Sequence, residues 1–297
     1  MTHIRRSADE RLGAHVSTQG GVHTAPDRGT AIGATAIQVF TKTPSQWREP
    51  AITEEIAVGF RNRLTSTAIR HVVSHDSYLI NLASPDPELS ARSAMAFVAE
   101  LQRCRILGIA QVVSHPGNYI DDRNAGLERN ARNYTKALRA VKGDVMILIE
   151  TTAGTGTSLG SSFEELAALR EAIGRDVRDR IGFCADTCHL YSAGYDLVND
   201  YEGVWRRWET VIGIEHLGCL HLNDSKTAFG SHRDRHELIA QGSLGPDPFR
   251  RIMRDPRFAG IPKILETPKG DDLVANDRRM LRRLRAYARQ SGLPLVP

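Results

Sequence analysis

Eight short apolar runs recur along the chain, and most of them end in His, Asp or Glu. They occupy residues 11–15, 36–40, 71–75, 111–115, 145–150, 181–186, 218–221 and 263–266. They finish at His15, Phe40/Thr41, His75, His115, Glu150, Asp186, His221 and Glu266. Continuous apolar runs suit strands covered on both faces, the condition of a parallel sheet. Helix patterns lie between them. Ala94, Phe97, Val98, Leu101 and Cys104 mark one apolar helix face. Phe163, Leu166, Ala167 and Leu169 begin another, with Ser161 and Ser162 as caps and Glu164 and Glu165 in its first turn. A closing helix over about 271–289 turns Met280, Leu281, Leu284 and Tyr287/Ala288 inward. This alternation predicts an α/β fold, a single-domain (β/α)8 or TIM barrel, in which all strand ends and the active site share one face. A linear series of polar strand ends then becomes one pocket.

No linker or low-complexity segment divides the 297 residues. The expected barrel domain spans 11–290, with a flexible N-terminal segment 1–10 and a C-terminal tail 291–297. The balance of 39 Lys+Arg against 35 Asp+Glu gives a net charge of +4. That is a mild basic lean, compatible with an anionic substrate, and acidic residues sequestered on metal would leave the surface more basic still. Cys104, Cys184, Cys188 and Cys219 form no CxxC pair, and three lie in or beside apolar runs, which suits buried free thiols in a reducing compartment. MTHIRRSADE has no apolar segment behind its arginines, and no stretch approaches the roughly 20 apolar residues of a membrane span. The expectation is a cytoplasmic protein with no membrane partner.

The strand ends carry the chemistry. His75, His115 and Glu150 close three neighbouring strands, and two imidazoles with a carboxylate make a zinc-ligand set. A lone His at a strand end is usually structural; three such ends in succession are not. Asp186 and His189 stand at i, i+3, which also suits Asp186 as a helix N-cap. His221 ends the seventh strand. Asp234 and His236, two residues apart, fall on one side of an extended segment, with Arg235 turned away or toward a phosphate. They lie in the longest irregular stretch, Asn223–Pro248, and long loops in compact domains are usually functional. Glu266 ends an apolar run, where a carboxylate is costly to bury unless paired or metal-bound. Nine candidates are too many for one ion and suit two or three with a bridging carboxylate. Clustered ions fit phosphoryl chemistry, since one generates the nucleophile while others hold phosphate and leaving oxygen.

Two further features read as structural. Gly154–Gly160 has GxGxxxG spacing and follows the fifth strand, which argues against a dinucleotide loop. Arg278, Arg279, Arg282, Arg283, Arg285 and Arg289 read as the solvated face of an outer helix. Tyr78 and Leu79 follow His75 closely, and an aromatic–aliphatic pair at a pocket rim suits either loop packing or a wedge inserted into a DNA stack.

In this order the motifs resemble the endonuclease IV family of zinc-dependent abasic-site DNA repair nucleases. The resemblance runs from Leu12 to the final helix. Gly13-Ala14-His15-Val16-Ser17, Phe40-Thr41-Lys42 with Gln46-Trp47, and His75-Asp76-Ser77-Tyr78-Leu79-Ile80-Asn81-Leu82 carry it first. His115-Pro116-Gly117, Glu150-Thr151-Thr152-Ala153-Gly154 and Asp186-Thr187-Cys188-His189 follow. His221-Leu222-Asn223-Asp224, Asp234-Arg235-His236 and Leu265-Glu266-Thr267 complete it.

The resemblance implies three zinc ions, with manganese possible in part. His75, His115 and Glu150 would hold one. Glu150, Asp186, His221 and Glu266 would hold the second, with Glu150 bridging, and His189, Asp234 and His236 the third. It also implies Glu150 and Glu266 as catalytic residues, and Tyr78, Leu79, Lys42 and Arg235 as DNA contacts. The implied substrate is damaged double-stranded DNA, cut by a monomer 5′ to an apurinic/apyrimidinic site to leave a 3′-hydroxyl and a 5′-deoxyribose phosphate. In the cell the protein would associate with the nucleoid. Two positions depart from the family pattern. Ser45 stands where an arginine often enters the duplex, and Ala240-Gln241-Gly242 replaces a Gly-Glu-Gly run. Two other readings remain at this point: a barrel sugar isomerase or epimerase with one or two metals, and a non-catalytic zinc-stabilised DNA-binding protein.

Overall fold

A computed structural model of the chain describes residues 10–290. The expected tail 291–297, and all of the leading segment except Glu10, lie outside the described residues. Eight strands close a parallel barrel: β1 Leu12–His15, β2 Ala36–Val39, β3 His71–His75, β4 Gln111–Ser114, β5 Met146–Glu150, β6 Ile181–Asp186, β7 Leu217–His221 and β10 Lys263–Leu265. Their order around the barrel is β1-β10-β7-β6-β5-β4-β3-β2. The remaining two, β8 Asp224–Ser225 and β9 His236–Glu237, form a small antiparallel ribbon at the C-terminal face. Helices surround the barrel: α1 Ala25–Ile32, α2 Glu54–Ser66, α3 Pro87–Leu107, α4 Arg123–Ala140, α5 Phe163–Ala172, α6 Thr187–Ser192, α7 Tyr201–Val211, α8 Asp247–Ile252 and α9 Ala275–Arg289.

The barrel axis shows why the strand ends converge. Ala36, Val73, Val113, Leu148, Cys184, Cys219 and Ile264 form one buried cluster, a residue from each barrel strand except β1. Side chains alternate along a strand, so the residue two further on returns to the same face. Two residues beyond these seven stand Gln38, His75, His115, Glu150, Asp186, His221 and Glu266. An apolar layer therefore floors a polar one, one pleat above it. β1 contributes Gly13 at the lower level, where a Cβ would come 1.6 Å from the Ala36 carbonyl oxygen. Only glycine fits that approach.

Several boundaries differ from the sequence reading by a residue or more. His115, Glu266 and Phe40 lie just past their strands. The final helix begins only at Ala275, after a turn in which the Asp272 carboxylate accepts from the Val274 and Ala275 amides. The stretch 223–248 carries the β8–β9 ribbon and the start of α8, so it is less irregular than expected. The four cysteines are free and buried, as expected. The Ser162 hydroxyl caps α5 by accepting from the Glu165 amide. Of the arginines on α9, Arg285 grips Glu10 at 2.6 Å and Arg278 donates to the Ala31 carbonyl at 2.5 Å. That face is partly structural, not purely solvated.

Candidate metal centre

The imidazoles at the mouth of the barrel are oriented one by one. His75 donates from Nδ1 to the Asp76 carbonyl at 2.9 Å and turns Nε2 to Glu150 Oε2 at 3.2 Å. His189 donates from Nδ1 to the Thr151 carbonyl at 2.8 Å, with Nε2 3.2 Å from Asp234 Oδ2. His236 points Nδ1 at the Glu266 carbonyl at 3.2 Å and Nε2 at Asp234 Oδ1 at 3.2 Å. His221 is reversed. Its Nε2 donates to Gln38 Oε1 at 2.8 Å, while Nδ1 lies 2.9 Å from Glu150 Oε1 and 3.2 Å from Glu266 Oε2. His115 Nε2 is 2.9 Å from Glu150 Oε2.

A carbonyl oxygen only accepts, so for these four imidazoles the nitrogen facing it carries the proton. The other nitrogen then presents a lone pair to a carboxylate oxygen. Two lone pairs at such distances repel unless a proton or a cation lies between them. His236 Nε2 is buried with no hydrogen-bond partner. This arrangement suits metal ligation, with the second nitrogen fixing each ring.

Charge balance agrees. Burial opposes ionisation of Glu150, yet His221 and His115 beside it hold its pKa well below the usual carboxylate range. Glu266 is buried too, and His221 and the hydrogen bond to His15 keep its pKa well down. Burial likewise disfavours charge on Asp234, but the imidazoles of His189 and His236 beside it lower its pKa. The reciprocal effect acts on the imidazoles. Burial resists the charge on His75, and Glu150 pushes its pKa up to about 9. Burial also resists charge on His236, and Asp186 and Asp234 raise it to about 9. The pocket is a buried set of carboxylates that demands positive charge, which a divalent ion supplies more compactly than protons.

Candidate ligand atoms fall within 4.8 Å of one another in three sets: His75, His115 and Glu150; Glu150, Asp186, His221 and Glu266; His189, Asp234 and His236. Glu150 belongs to two of them. All nine sequence-expected ligands are brought together, although the Asp234 side chain is half exposed. The same spacing holds for Cys184, Cys219 and His221 one layer down, and for Asp186, Cys188 and His236.

Sequence reasoning missed the residues that orient these ligands. Gln38 is fully buried on β2. Its Nε2 donates to Glu266 Oε1 at 2.6 Å while its Oε1 accepts from His221. Asn223 donates to Asp186 Oδ2 at 2.6 Å and accepts from the Glu266 amide at 2.9 Å. Asp76 accepts from Ser114 at 2.7 Å, and Tyr134 donates to the same hydroxyl at 2.8 Å. A polar residue inside an apolar run, as in Ala36-Ile37-Gln38-Val39, is the signal that was available.

The expected DNA contacts divide. Tyr78 is 68% exposed at the rim, with its ring 5.2 Å from that of Phe40, and Leu79 behind it is half-buried. Arg235 is exposed on the loop before β9. Lys42 borders the pocket but is buried, its ammonium bound to the Gln46 carbonyl and 3.1 Å from Glu49. These contacts brace its own loop at the edge of the pocket. Ser45 and Gln241 are exposed. A cavity of about 790 Å³ opens over His15, Phe40, His75, Tyr78 and Glu266. A cleft of about 590 Å³ adjoins it, lined by Asn118, Thr155, Ser158, Arg233 and Arg235. Both are bordered by His115, His189 and Asp234, so the candidate cluster lies along their shared wall.

A family model described as xylose isomerase-like TIM barrel matches residues 27–284. A protein of Geobacter sulfurreducens named probable endonuclease 4 is 45% identical over 268 residues, 89% of this chain and 90% of its own. One from Chloroflexus aggregans with the same name is 44% identical over 283 residues, 94% of this chain and 98% of its own. The crystal structure of endonuclease IV from Thermus thermophilus superimposes with a TM-score of 0.83 at 35% identity, covering 94% of this chain and 98% of that one. A D-tagatose 3-epimerase-like protein shares the fold at a TM-score of 0.70 with 14% identity, covering 94% of this chain and 98% of that one.

Proposed function

This chain belongs to the endonuclease IV family, and on that premise we propose that it is a zinc-dependent DNA-repair endonuclease. It hydrolyses the phosphodiester 5′ to an apurinic/apyrimidinic site in duplex DNA, leaving a 3′-hydroxyl and a 5′-deoxyribose phosphate. It works in the cytoplasm, at the nucleoid, as a monomer. The observation that carries the reading is the convergence of nine candidate ligands into three sets, two of which share Glu150. The donors are imidazole nitrogens and carboxylate oxygens, the set zinc prefers, and manganese is accommodated by the same atoms. When bound, three ions would supply a nucleophile at neutral pH and neutralise charge on the phosphate and leaving oxygen.

The chain's own residues do the rest. Glu150 and Glu266 hold negative charge at the centre of the pocket, Glu266 steadied by Gln38 and His15. Gln38, Asn223 and the backbone carbonyls fix ligand geometry before any substrate arrives, so no reorganisation is needed during the reaction. Tyr78 and Leu79, at the rim, enter the gap left by the missing base. Arg233 and Arg235 border the adjoining cleft, where phosphates of the strand run.

Sugar isomerases of this fold give the rival reading. It leaves His189, Asp234 and His236 without a task, and the exposed Tyr78 ring without a reason. Metal analysis of the purified protein combined with a nicking assay separates the alternatives. The test substrate is a duplex oligonucleotide carrying one tetrahydrofuran abasic analogue. The expected result is about three ions per chain, one for each set, with a single cut 5′ to the analogue. About one ion per chain without cutting would favour an isomerase. Tight binding of abasic DNA without cutting would favour a non-catalytic binder.

A further inference from the structure

Ile120 is 61% exposed, and its backbone sits at φ +62°. That left-handed region is strongly disfavoured for a β-branched residue and persists only when surrounding contacts over-determine it. The contacts are present on both sides. Before Ile120, Asn81 takes the Asn118 amide at 2.9 Å and donates to the Asn118 carbonyl at 3.0 Å. Tyr119 donates its amide to Thr157 at 3.0 Å and packs on Gly126 of α4, where a Cβ would come 2.3 Å from the Tyr119 Cβ. Arg129 of α4 holds the carbonyls of Ala83 at 2.7 Å and Tyr119 at 3.0 Å. After Ile120, the Asp121 carboxylate is paired with the same Arg129, and Asp122 caps α4. The backbone is clamped, yet the isoleucine side chain is left in solvent.

Its position gives this arrangement a use. Asn81 belongs to the segment that begins at Tyr78, so the Tyr78 loop and the Ile120 loop form one braced rim. Asn118 also lines the cleft beside the candidate ligands. Seven large apolar side chains are exposed among the described residues. Tyr78, Ile120, Phe229 and Leu273 lie on loops at the C-terminal face of the barrel, while Val58, Met95 and Ile106 lie on outer helices. An exposed isoleucine held rigidly beside a DNA site suits a base step better than a phosphate, since apolar wedges act by unstacking bases.

We propose that Ile120 is a second wedge of the DNA-facing rim, inserted against a base step flanking the lesion while Tyr78 occupies the lesion itself. The inference rests on the endonuclease reading above. Ile120→Gly and Ile120→Asn test it, because both replacements accept a left-handed backbone. Melting temperature reports the conformational strain. Fluorescence anisotropy gives the affinity for abasic and intact duplex, and a 2-aminopurine placed beside the abasic analogue reports unstacking.

Ile120→Gly should melt about 2 °C higher than wild type. Both variants should bind abasic duplex roughly tenfold more weakly, with the 2-aminopurine signal reduced. Cutting at protein concentrations below saturation should fall in step with the affinity. Unchanged affinity and unchanged 2-aminopurine signal in both variants overturn the proposal, as does a lower melting temperature for Ile120→Gly. A wild-type protein that fails to bind abasic duplex removes the endonuclease reading and this inference with it. Wild-type binding with no variant effect removes this inference alone.

Discussion

Gln38→Leu tests whether the candidate metal site is built from its surroundings or only from its ligands. The side chain is fully buried and shared between two ligands on different strands. Leucine nearly matches its volume but removes the acceptor for His221 Nε2 and the donor to Glu266 Oε1. An unpaired buried donor costs about 1–3 kcal/mol, and a hydrogen bond to a charged group contributes about 1.5–3 kcal/mol. Part of that sum appears as lost folding stability. The part expressed in metal binding should resemble other changes behind a metal ligand, about 10- to 100-fold in affinity. That corresponds to roughly 1.4–2.7 kcal/mol.

Gln38→Glu separates the two halves of the interaction. It keeps an acceptor for His221 but sets a carboxylate against Glu266 where the amide donated at 2.6 Å. Two carboxylates that close share a proton, so this variant should hold metal better at lower pH relative to Gln38→Leu. Zinc release to a competing chromophoric chelator, with circular dichroism to monitor the fold, reads both effects. One labile ion per chain is expected, with the others retained as in wild type. If Gln38→Leu keeps its fold and releases zinc no faster than wild type, Gln38 does not orient the cluster.

Three other perturbations probe features away from the ligands. Arg103 is buried and binds Thr41 Oγ1 at 2.7 Å, Glu100 Oε2 at 2.6 Å and Glu49. Arg103→Met should therefore cost about 3–5 kcal/mol in urea unfolding by stranding buried Glu100; a loss below about 1 kcal/mol contradicts the network. Ala240 sits at φ +60°, so Ala240→Gly should stabilise by about 1 kcal/mol, read as a raised melting temperature; no gain means that the position is unstrained. Burial draws the Lys263 ammonium down to about 8 from the usual 10.5. Between those values the unfolded chain binds more protons, so this group's contribution grows as pH rises and is lost as pH falls toward 8. Relative to Lys263→Met, wild type should gain on the order of 3 kcal/mol across that window; a pH-independent difference refutes the shift.

The barrel was legible because its strands are buried on both faces, and the pocket because side chains repeat every second residue. Val73 then His75, Leu148 then Glu150 and Cys219 then His221 are each a core position followed by a ligand one pleat higher. What spacing did not reveal is which candidates share a set. Asp186 and His189 stand three apart, yet they enter different sets, because one ends β6 facing the axis and the other rides on α6. That division came from family resemblance. Gln38 was invisible for another reason. Its partners are 183 and 228 residues away, so nothing local announces them. The Lys42–Glu49 ion pair at 3.1 Å joins residues of one loop, and residue types alone did not disclose it.

The circular strand order has a consequence for the life of the chain before it is complete. β1 pairs with β2 on one side and with β10 on the other, so β1 keeps an open edge until residues 263–265 are synthesised. Domains complete their folding only when all their strands are available. A growing chain that has released residue 150 already carries His75, His115 and Glu150, but Asp186, His189, His221, Asp234, His236 and Glu266 do not yet exist. During translation, then, a partial metal site and an unpaired strand edge are exposed together. The moment β10 seats against β1, one event seals the edge and completes the cluster.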